Sequence, residues 1–236
     1  MINPVSVDGK GFLAHVAYDS VVFGFAGGQL KILLMEYHNT GLIALPGGFI
    51  RTDQDLDEAV RLGLEERTGI TNIYLEQFHT FGSRGRHQPE ILKKILKANG
   101  IAAPKEHWML QRFISVAYYA LVDISTVVLQ PDALSDSCTW HDITRLPTLI
   151  LDHDVVIQKA LETLRFNLDN KIKDSNLLPE KFTMKDLQKV YEAVLNEDLR
   201  RTSFQRRMLA AGILKRHEKL YSGEAHKAPF IYSFKR

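Results

Sequence analysis

The chain has a single cysteine, Cys138, so no disulfide can form within it. No apolar run approaches the roughly 18 residues that would span a membrane, and the N-terminus lacks the basic and then apolar segments of a secretory leader. Internal repeats and low-complexity tracts are also missing. We therefore expect a globular, cytoplasmic protein with no membrane partner, in which Cys138 is a strand residue rather than a nucleophile.

The net charge of +2 is small, but its distribution is uneven. Residues 177–236 carry 13 lysines and arginines against 7 aspartates and glutamates, a net charge of +6. The remainder carries 17 against 21, a net charge of −4. A basic end on an acidic body indicates a polyanionic partner for that end.

Composition and patterning divide the 236 residues into four parts. Residues 1–16 are expected to form a loose arm, and 17–152 a domain of mixed strands and helices. Residues 153–176 are expected to be a connecting helix and linker, and 177–236 a second domain. The boundary is set by polar residues that end in a proline, between 167 and 179.

Apolar periodicity predicts the elements of the first domain. Strands are predicted at 20–25, 30–36, 42–45, 73–82, 113–122 and 137–143. Helices are predicted at 53–67, 89–99 and 155–166. The strand at 113–122 is apolar throughout, which is typical of a central strand covered on both faces. His153, before the last of these helices, is expected to be a capping or surface histidine rather than a ligand.

The stretch 45–70 organises the first domain. Pro46-Gly47-Gly48 predicts a tight turn, and an apolar helical pattern over 53–67 follows it. Gly69 is expected to end the helix in the left-handed conformation. Gly63, in mid-helix, costs about 1 kcal/mol against alanine and is expected to allow close packing against a sheet.

Anchored on Gly48 and Gly69, this stretch resembles a Nudix box. The positions that match the box are Gly48, Leu64, Glu66, Gly69 and Ile70. The positions that depart from it are Gln54, Leu62, Gly63 and Arg67, where the box has glutamates and an arginine. The resemblance implies a helix whose carboxylates hold Mg²⁺ against a diphosphate. Because Arg67 places a positive charge where an anionic ligand is expected, we predict no catalytic residues, no metal and no other cofactor.

A retained enzyme is the alternative. If Asp57 or Glu58 on the same helix replaced the lost ligands, the chain would be a Mg²⁺-dependent pyrophosphohydrolase of nucleoside diphosphate derivatives.

A basic loop at 83–88 follows the strand at 73–82. Guanidinium groups bind anions in bidentate fashion, so this loop either grips an anionic ligand or is simply solvated. The candidate ligand-binding residues are Arg51, Glu66, Arg84 and Arg86. The segment 86–110 carries an additional helix and lies where ligand-side loops are expected.

The order of helices and strands in residues 177–236 predicts a winged helix-turn-helix. Thr183 and Asp186 form a capping pair before an apolar helix. A second helix is predicted at 199–211, with its apolar positions inward at Leu199, Phe204, Met208 and Leu209. Two alternating strands then flank a loop at 221–228.

The second helix would be the DNA-reading helix, since its outer face is basic and polar. Arginine and glutamine pair with base edges, and serine, threonine and lysine contact phosphates. The candidate DNA-binding residues are Arg200, Arg201, Thr202, Ser203, Gln205, Arg206, Arg207, Lys215, Arg216 and Lys227. One alternative is a solvated basic helix on a small accessory domain, and another is an interaction protein whose basic tail binds RNA or protein.

A Nudix-like domain joined to a winged helix resembles the Nudix-related transcriptional regulators. The stretches that carry this resemblance are 45–51, 55–59, 75–77, 81–82, 115–121 and 182–194. The family includes repressors of NAD biosynthesis that sense ADP-ribose-type ligands and regulators of pentose use that sense arabinose.

The resemblance implies an α+β chain, a Nudix α/β/α sandwich followed by a winged helix-turn-helix domain. It also implies a homodimer that binds double-stranded operator DNA and a small effector. That effector is a sugar, a sugar phosphate or an ADP-ribose-like nucleotide sugar. The sequence leaves open the choice of effector, the operator, the sign of regulation and the dimer contact.

Overall fold

A computed structural model describes residues 8–69, 73–132, 134–174, 177–220 and 228–235. The strands are β1 (Phe12–Ala26), β2 (Gln29–Tyr37), β3 (Leu42–Ala44), β4 (Gly47–Arg51), β5 (Tyr74–Phe81), β6 (Ile114–Val122), β7 (Ser135–Asp142), β8 (Phe182–Thr183), β9 (Leu214–Lys219) and β10 (Phe230–Phe234). The helices are α1 (Leu56–Thr68), α2 (Pro89–Ala98), α3 (His153–Lys171), α4 (Met184–Leu195) and α5 (Arg201–Ala210).

The long strand β1 is the centre of a seven-stranded sheet with the order β3-β2-β1-β6-β5. It runs antiparallel to β2 and β4 and parallel to β6, while β7 pairs with the far side of β2. The predicted loose arm at 1–16 is wrong for 12–16, because Phe12 pairs with Arg51 and Val16 with Ile114. Residues 1–7 of that arm lie outside the described residues.

Helices cover both faces of this sheet, which confirms the sandwich. One core joins alternate strand residues to the inner face of α1, through Val22, Leu33, Ile50, Val60, Leu64 and Tyr118. The other core joins the opposite face to α3, through Val21, Phe23, Ile32, Tyr119, Val156, Ile157 and Leu164. The period of two along each strand separates the two sets.

The predicted Pro46-Gly47-Gly48 turn is wrong. Both glycines lie in β4, and neither has a positive φ. They are needed because the backbone approaches Tyr18: a Cβ on Gly48 would lie 2.6 Å from its hydroxyl, and one on Gly63 2.2 Å. The expected role of Gly63 in close helix-to-sheet packing is therefore confirmed.

Apart from β1, β4 and α3, local signals placed the ends of the strands and helices of the first domain to within about three residues. α1 ends at Gly69 in the left-handed conformation, with φ 68°, as predicted. It begins at Leu56, later than the predicted residue 53. Cys138 lies buried in β7, and burial raises the pKa of its thiol to about 11, so the thiol stays protonated at neutral pH.

Helix α3 runs to Lys171, beyond its predicted end at 166, and packs on both the sheet and the C-terminal domain. The side chain of Arg165 donates to the carbonyl of Val194 at the end of α4, at 2.8 Å. A single apolar core thus extends from the sheet through α3 into α4 and α5, and includes Tyr191 and Phe204.

The C-terminal domain has the predicted order of helix, helix and strand pair. The capping box at Thr183 and Asp186 is present in both directions. In α5, Phe204 and Met208 face the core as predicted, but Leu209 is 47% exposed, so its predicted inward position is wrong. The helical period places Leu209 well to the side of the Phe204–Met208 stripe.

Within the described residues, no helix is both long and apolar enough to cross a membrane.

Candidate functional site

A cavity of about 200 Å³ lies beside the C-terminal half of α1. β1 and β4 form its floor through Asp19 and Gly48, and α1 contributes Glu66 and Arg67. The segment 86–110, which the sequence predicts to lie on the ligand side, supplies its outer wall together with Gln111 and Phe113. This is the position where a Nudix box would hold its ligand.

Arg67 is 5% exposed and fully engaged with protein groups. Its guanidinium donates to the carbonyls of Gly63 at 2.6 Å and Gly47 at 3.2 Å, and to the Asp132 carboxylate at 2.6 Å. Burial alone would lower the pKa of Arg67, but Asp132 outweighs burial and the pKa is raised. A permanent cation therefore ties α1 to β4 and to the loop before β7.

Asp132 is the acidic partner in this pair. Burial alone would raise the pKa of Asp132, but Arg67 and hydrogen bonds from Ser135 and from the amide of Leu134 outweigh it. The pKa of Asp132 therefore lies below its ordinary value. Such a carboxylate stabilises the fold above its unfolded pKa of about 3.9, and the contribution is lost as pH falls through the folded pKa.

The contribution of Asp132 to the free energy of unfolding is expected to be nearly constant from about pH 7 to 5 and to be lost below about pH 4. Urea unfolding followed by circular dichroism over this range measures it. Asp132→Asn removes the titrating group, so its stability should fall less steeply in acid than that of the wild type. Equal slopes in the two proteins would contradict the assignment to Asp132.

The residues at this position do not fit a magnesium ion. Among the described residues, no group of three or more histidine, cysteine, aspartate or glutamate side chains is arranged to hold a metal. Asp57, an alternative ligand, accepts a hydrogen bond from the Tyr118 hydroxyl, and Glu58 is exposed. Mg²⁺ requires an octahedron of oxygens, and the guanidinium of Arg67 opposes a second cation beside Glu66.

Arg86 forms a second buried ion-pair cluster in the cavity. Its guanidinium donates to Asp19 and, at 2.6 Å, to Asp152. The hydroxyl of Ser115 also donates to Asp19, at 2.7 Å. The sequence predicted that the basic loop either grips an anionic ligand or is solvated, and neither prediction describes Arg86 fully. Arg86 is buried, and two carboxylates of the protein already balance its charge. Long-range pairs of this kind leave no local sequence signal.

His153 is 4% exposed and lines the cavity, so its predicted capping or surface position is wrong. Its Nδ1 accepts a hydrogen bond from the amide of Leu45 at 2.9 Å. Nε2 lies 3.6 Å from the Asp19 carboxylate and makes no hydrogen bond with any residue that the structure describes. Burial lowers the pKa of His153 despite the neighbouring Asp19, so the ring is neutral.

Four aromatic rings surround the cavity mouth. Phe12 and Trp108 are stacked with centroids 5.2 Å apart, Phe49 meets Trp108 edge-on at 4.6 Å, and Phe113 lies 5.2 Å from Phe49. These rings come from three separate parts of the chain: the start of β1, β4, and the segment between α2 and β6. An apolar, aromatic mouth above a charged floor suits a ligand with one planar and one polar end.

The four predicted ligand-binding residues are placed differently. Glu66 and Arg86 line the cavity. Arg51 is exposed and pairs with Asp53 at 3.0 Å, and Arg84 is exposed in the turn that precedes Arg86. Sequence reasoning missed Asp19, whose one signal is an acidic residue inside an apolar strand.

The predicted reading helix is α5. Thr202 and Arg206 lie opposite the buried stripe and are exposed, and the predicted residues Arg200, Arg201 and Ser203 are exposed as well. Gln205 is half-buried.

Arg207 points toward the body of the molecule. Its guanidinium lies 5.2 Å from the ring centroid of Tyr191 and 3.9 Å from the Asp169 carboxylate of α3. Two neighbouring arginines on one helix therefore face different surroundings.

The predicted hairpin is present as β9 and β10, with β8 as a third strand. Lys215 and Arg216 are exposed on β9, and Arg216 lies 4.6 Å from the ring centroid of Phe230. The predicted contact residue Lys227 lies outside the described residues.

Comparison with known proteins bears on both domains. The family model described as the NrtR DNA-binding winged helix domain matches residues 175–234. The crystal structure of Shewanella oneidensis NrtR superposes with a TM-score of 0.70 at 28% identity, covering 94% of each chain. Residues 175–234 therefore match a DNA-binding winged helix of the NrtR type, and the whole chain has the fold of Shewanella oneidensis NrtR.

Two further proteins are similar to the chain over most of its length. A Shewanella oneidensis NrtR structure complexed with a 27mer DNA gives a TM-score of 0.66 at 27% identity, covering 93% of each chain. The "ADPR responsive transcriptional repressor NtrR" of Acinetobacter baylyi is 29% identical over 204 residues, 84% of this chain and 73% of that protein. In the present chain the matched winged helix contains α4, α5 and β8 to β10.

Proposed function

We propose that this NrtR-type chain is a ligand-responsive transcriptional repressor that binds double-stranded operator DNA. The observation that carries the proposal is the exposed face of α5, with Thr202 and Arg206 at its centre, inside a domain matched to a DNA-binding family. A helix of this kind enters the major groove with its polar face toward the bases. The NrtR relative that was crystallised with DNA supports this reading.

The effector we propose is an ADP-ribose-like nucleotide sugar that binds in the cavity beside α1. The Acinetobacter baylyi relative, which is named as ADPR responsive, supports this class over a plain pentose. The aromatic mouth around Trp108 and the polar floor at Asp19 suit a base at one end and a sugar at the other. Both buried arginines already have acidic partners, so the cavity does not present uncompensated positive charge.

The cavity binds this effector without cleaving it. The ion pair of Arg67 and Asp132 occupies the region where metal ligands would be needed, and Glu66 alone is a poor site for Mg²⁺. A dimer is part of the proposal because helix-turn-helix readers generally bind two half-sites at once. A cytoplasmic location follows from the proposed role on DNA.

Fluorescence anisotropy with the upstream region of the chain's own gene tests the proposal. We expect binding that is selective over scrambled DNA and weakens with salt, because phosphate contacts release counterions. Addition of ADP-ribose should raise the dissociation constant for the operator. Binding that ignores both DNA sequence and ADP-ribose would refute the assignment.

Incubation with ADP-ribose and Mg²⁺, followed by chromatography, tests the enzyme alternative. We expect intact ADP-ribose. Product that forms in the wild type and disappears in Glu66→Gln would favour the pyrophosphohydrolase.

A further inference from the structure

Two neighbouring polar atoms at the floor of the cavity, Nε2 of His153 and Oδ1 of Asp19, can each make a further hydrogen bond. Because His153 Nδ1 accepts the proton of the Leu45 amide, the neutral ring must carry its own proton on Nε2. That N–H has no hydrogen-bond partner among the described residues, and it belongs to a buried side chain that lines the cavity. The hydrogen bond from the Leu45 amide therefore fixes His153 Nε2 as an unused donor beside the cavity.

Asp19 presents the complementary acceptor. Its Oδ2 accepts from Arg86 and from Ser115, whereas the nearest polar partner of its Oδ1 within the described part of the chain is the Nε2 of His153, at 3.6 Å. That distance is too long for a hydrogen bond. Oδ1 thus remains an acceptor at the cavity floor, next to a donor.

We infer that Asp19 and His153 form a subsite for a sugar hydroxyl, the pentose end of the effector. A hydroxyl oxygen about 2.8 Å from each atom would accept from Nε2–H and donate to Oδ1. This inference rests on the proposed function, because it assigns the deep end of the same effector cavity.

Other ligand groups fit this pair less well. A phosphate oxygen would face the Asp19 carboxylate, and like charges at this distance repel in a buried site. A metal ion would need the lone pair of His153 Nε2, which carries the proton instead. A hydroxyl is both donor and acceptor, so it satisfies both atoms at once.

Placing the pentose at the floor leaves the other end of the ligand at the mouth. The rings of Phe12, Phe49, Trp108 and Phe113 line that end of the cavity. A nucleotide sugar would put its base there and its terminal ribose against Asp19 and His153. The subsite therefore distinguishes ADP-ribose from ADP, which lacks that terminal ribose.

Isothermal titration of the full-length wild type with ADP-ribose, ADP, D-ribose and L-arabinose is the first test. We expect ADP-ribose to bind at least about 10-fold more tightly than ADP, since a hydrogen bond to a buried charged group changes affinity by about that factor or more. Equal affinities for ADP-ribose and ADP would overturn the inference. If only D-ribose or L-arabinose binds, the proposal that the effector is a nucleotide sugar is wrong. The subsite for a pentose hydroxyl would then still be supported.

His153→Asn is the second test, because asparagine keeps an acceptor for the Leu45 amide near Nδ1 but has no atom at Nε2. We expect ADP-ribose affinity to fall about 10-fold, to that of ADP, while ADP affinity stays unchanged. His79→Asn, the same substitution on an exposed residue of β5, is the matched control. Equal weakening of both ligands would show a merely structural role and overturn the inference.

Operator binding in the same samples distinguishes a failure of the proposed subsite from a failure of the proposed function. Operator binding of His153→Asn without ligand is measured first as the baseline, and from that baseline the variant should need about 10-fold more ADP-ribose than the wild type for release. If ADP-ribose releases this variant from the operator at the wild-type concentration, the subsite is wrong but the proposed function is unaffected. If the wild type binds none of the four ligands, the effector proposal and the subsite both fail, whereas operator binding stands on its own.

Discussion

Replacing Arg67 with methionine is expected to lower the free energy of unfolding by about 3–5 kcal/mol. The substitution roughly keeps the length of the side chain but removes its charge, which leaves Asp132 in a buried site without a cation. It also leaves the carbonyls of Gly47 and Gly63 without their shared donor. Breaking a buried pair from one side costs far more than losing an exposed pair, because the remaining charge stays desolvated.

Arg61 is the matched control for this prediction. It lies on the same helix, is exposed and makes a 3.8 Å pair with Glu65 one turn away. Exposed pairs of this kind contribute about 0.3–0.5 kcal/mol, so Arg61→Met should be nearly neutral. Urea unfolding of both variants measures the difference.

The double variant Arg67→Met with Asp132→Asn should recover part of the loss, since no unpaired charge then remains. A cost for Arg67→Met as small as that for Arg61→Met would contradict the structural role of the pair.

Much of the fold was predictable because its signals are local. The capping box at Thr183, the left-handed Gly69 and the apolar strand β6 each depend on residues within a few positions. Their order indicated a domain of mixed strands and helices followed by a winged helix, and the resemblance to the Nudix box implied the sandwich. The start of β1 was not predictable in this way, because 12–16 are ordered by pairing with β4 and β6.

The chemistry of the cavity was less predictable because it depends on long-range contacts. Arg67 was recognised as an obstacle to a metal, but its partner Asp132 lies in a loop far along the chain. Arg86 was assigned to a ligand, whereas two carboxylates from β1 and the start of α3 already hold it. The burial of His153 in the cavity was not predictable, because the burial of a single histidine has no local sequence pattern.

Helix α3 connects the two halves of the proposed mechanism. Its first turn lines the cavity through His153, and the preceding Asp152 binds Arg86. Its far end contacts the winged helix, where Arg165 reaches the end of α4 and Asp169 faces Arg207 of α5. An effector that contacts His153 therefore touches the same rigid element that supports the reading helix. A ligand can shift the reader only through different affinities for two arrangements of these contacts.

Arg206→Ala is expected to weaken operator binding by about 10- to 100-fold, the range that corresponds to losing one good arginine contact to a base edge. Arg206 is exposed and lies opposite Phe204 and Met208, so its guanidinium is directed away from the core. Anisotropy titrations against the operator and against scrambled DNA measure both affinity and selectivity.

The neighbouring Arg207 provides a control with the same change of charge on the same helix. Its guanidinium lies over the ring of Tyr191 and near Asp169, so Arg207→Ala should weaken operator binding less than about 3-fold. If Arg206 reads a base, its loss reduces binding to the operator more than binding to scrambled DNA; a phosphate contact would reduce both alike and lower the salt slope by about 1. Equal effects of the two substitutions would show that only the net charge of α5 matters, and the proposed reading face would then be wrong.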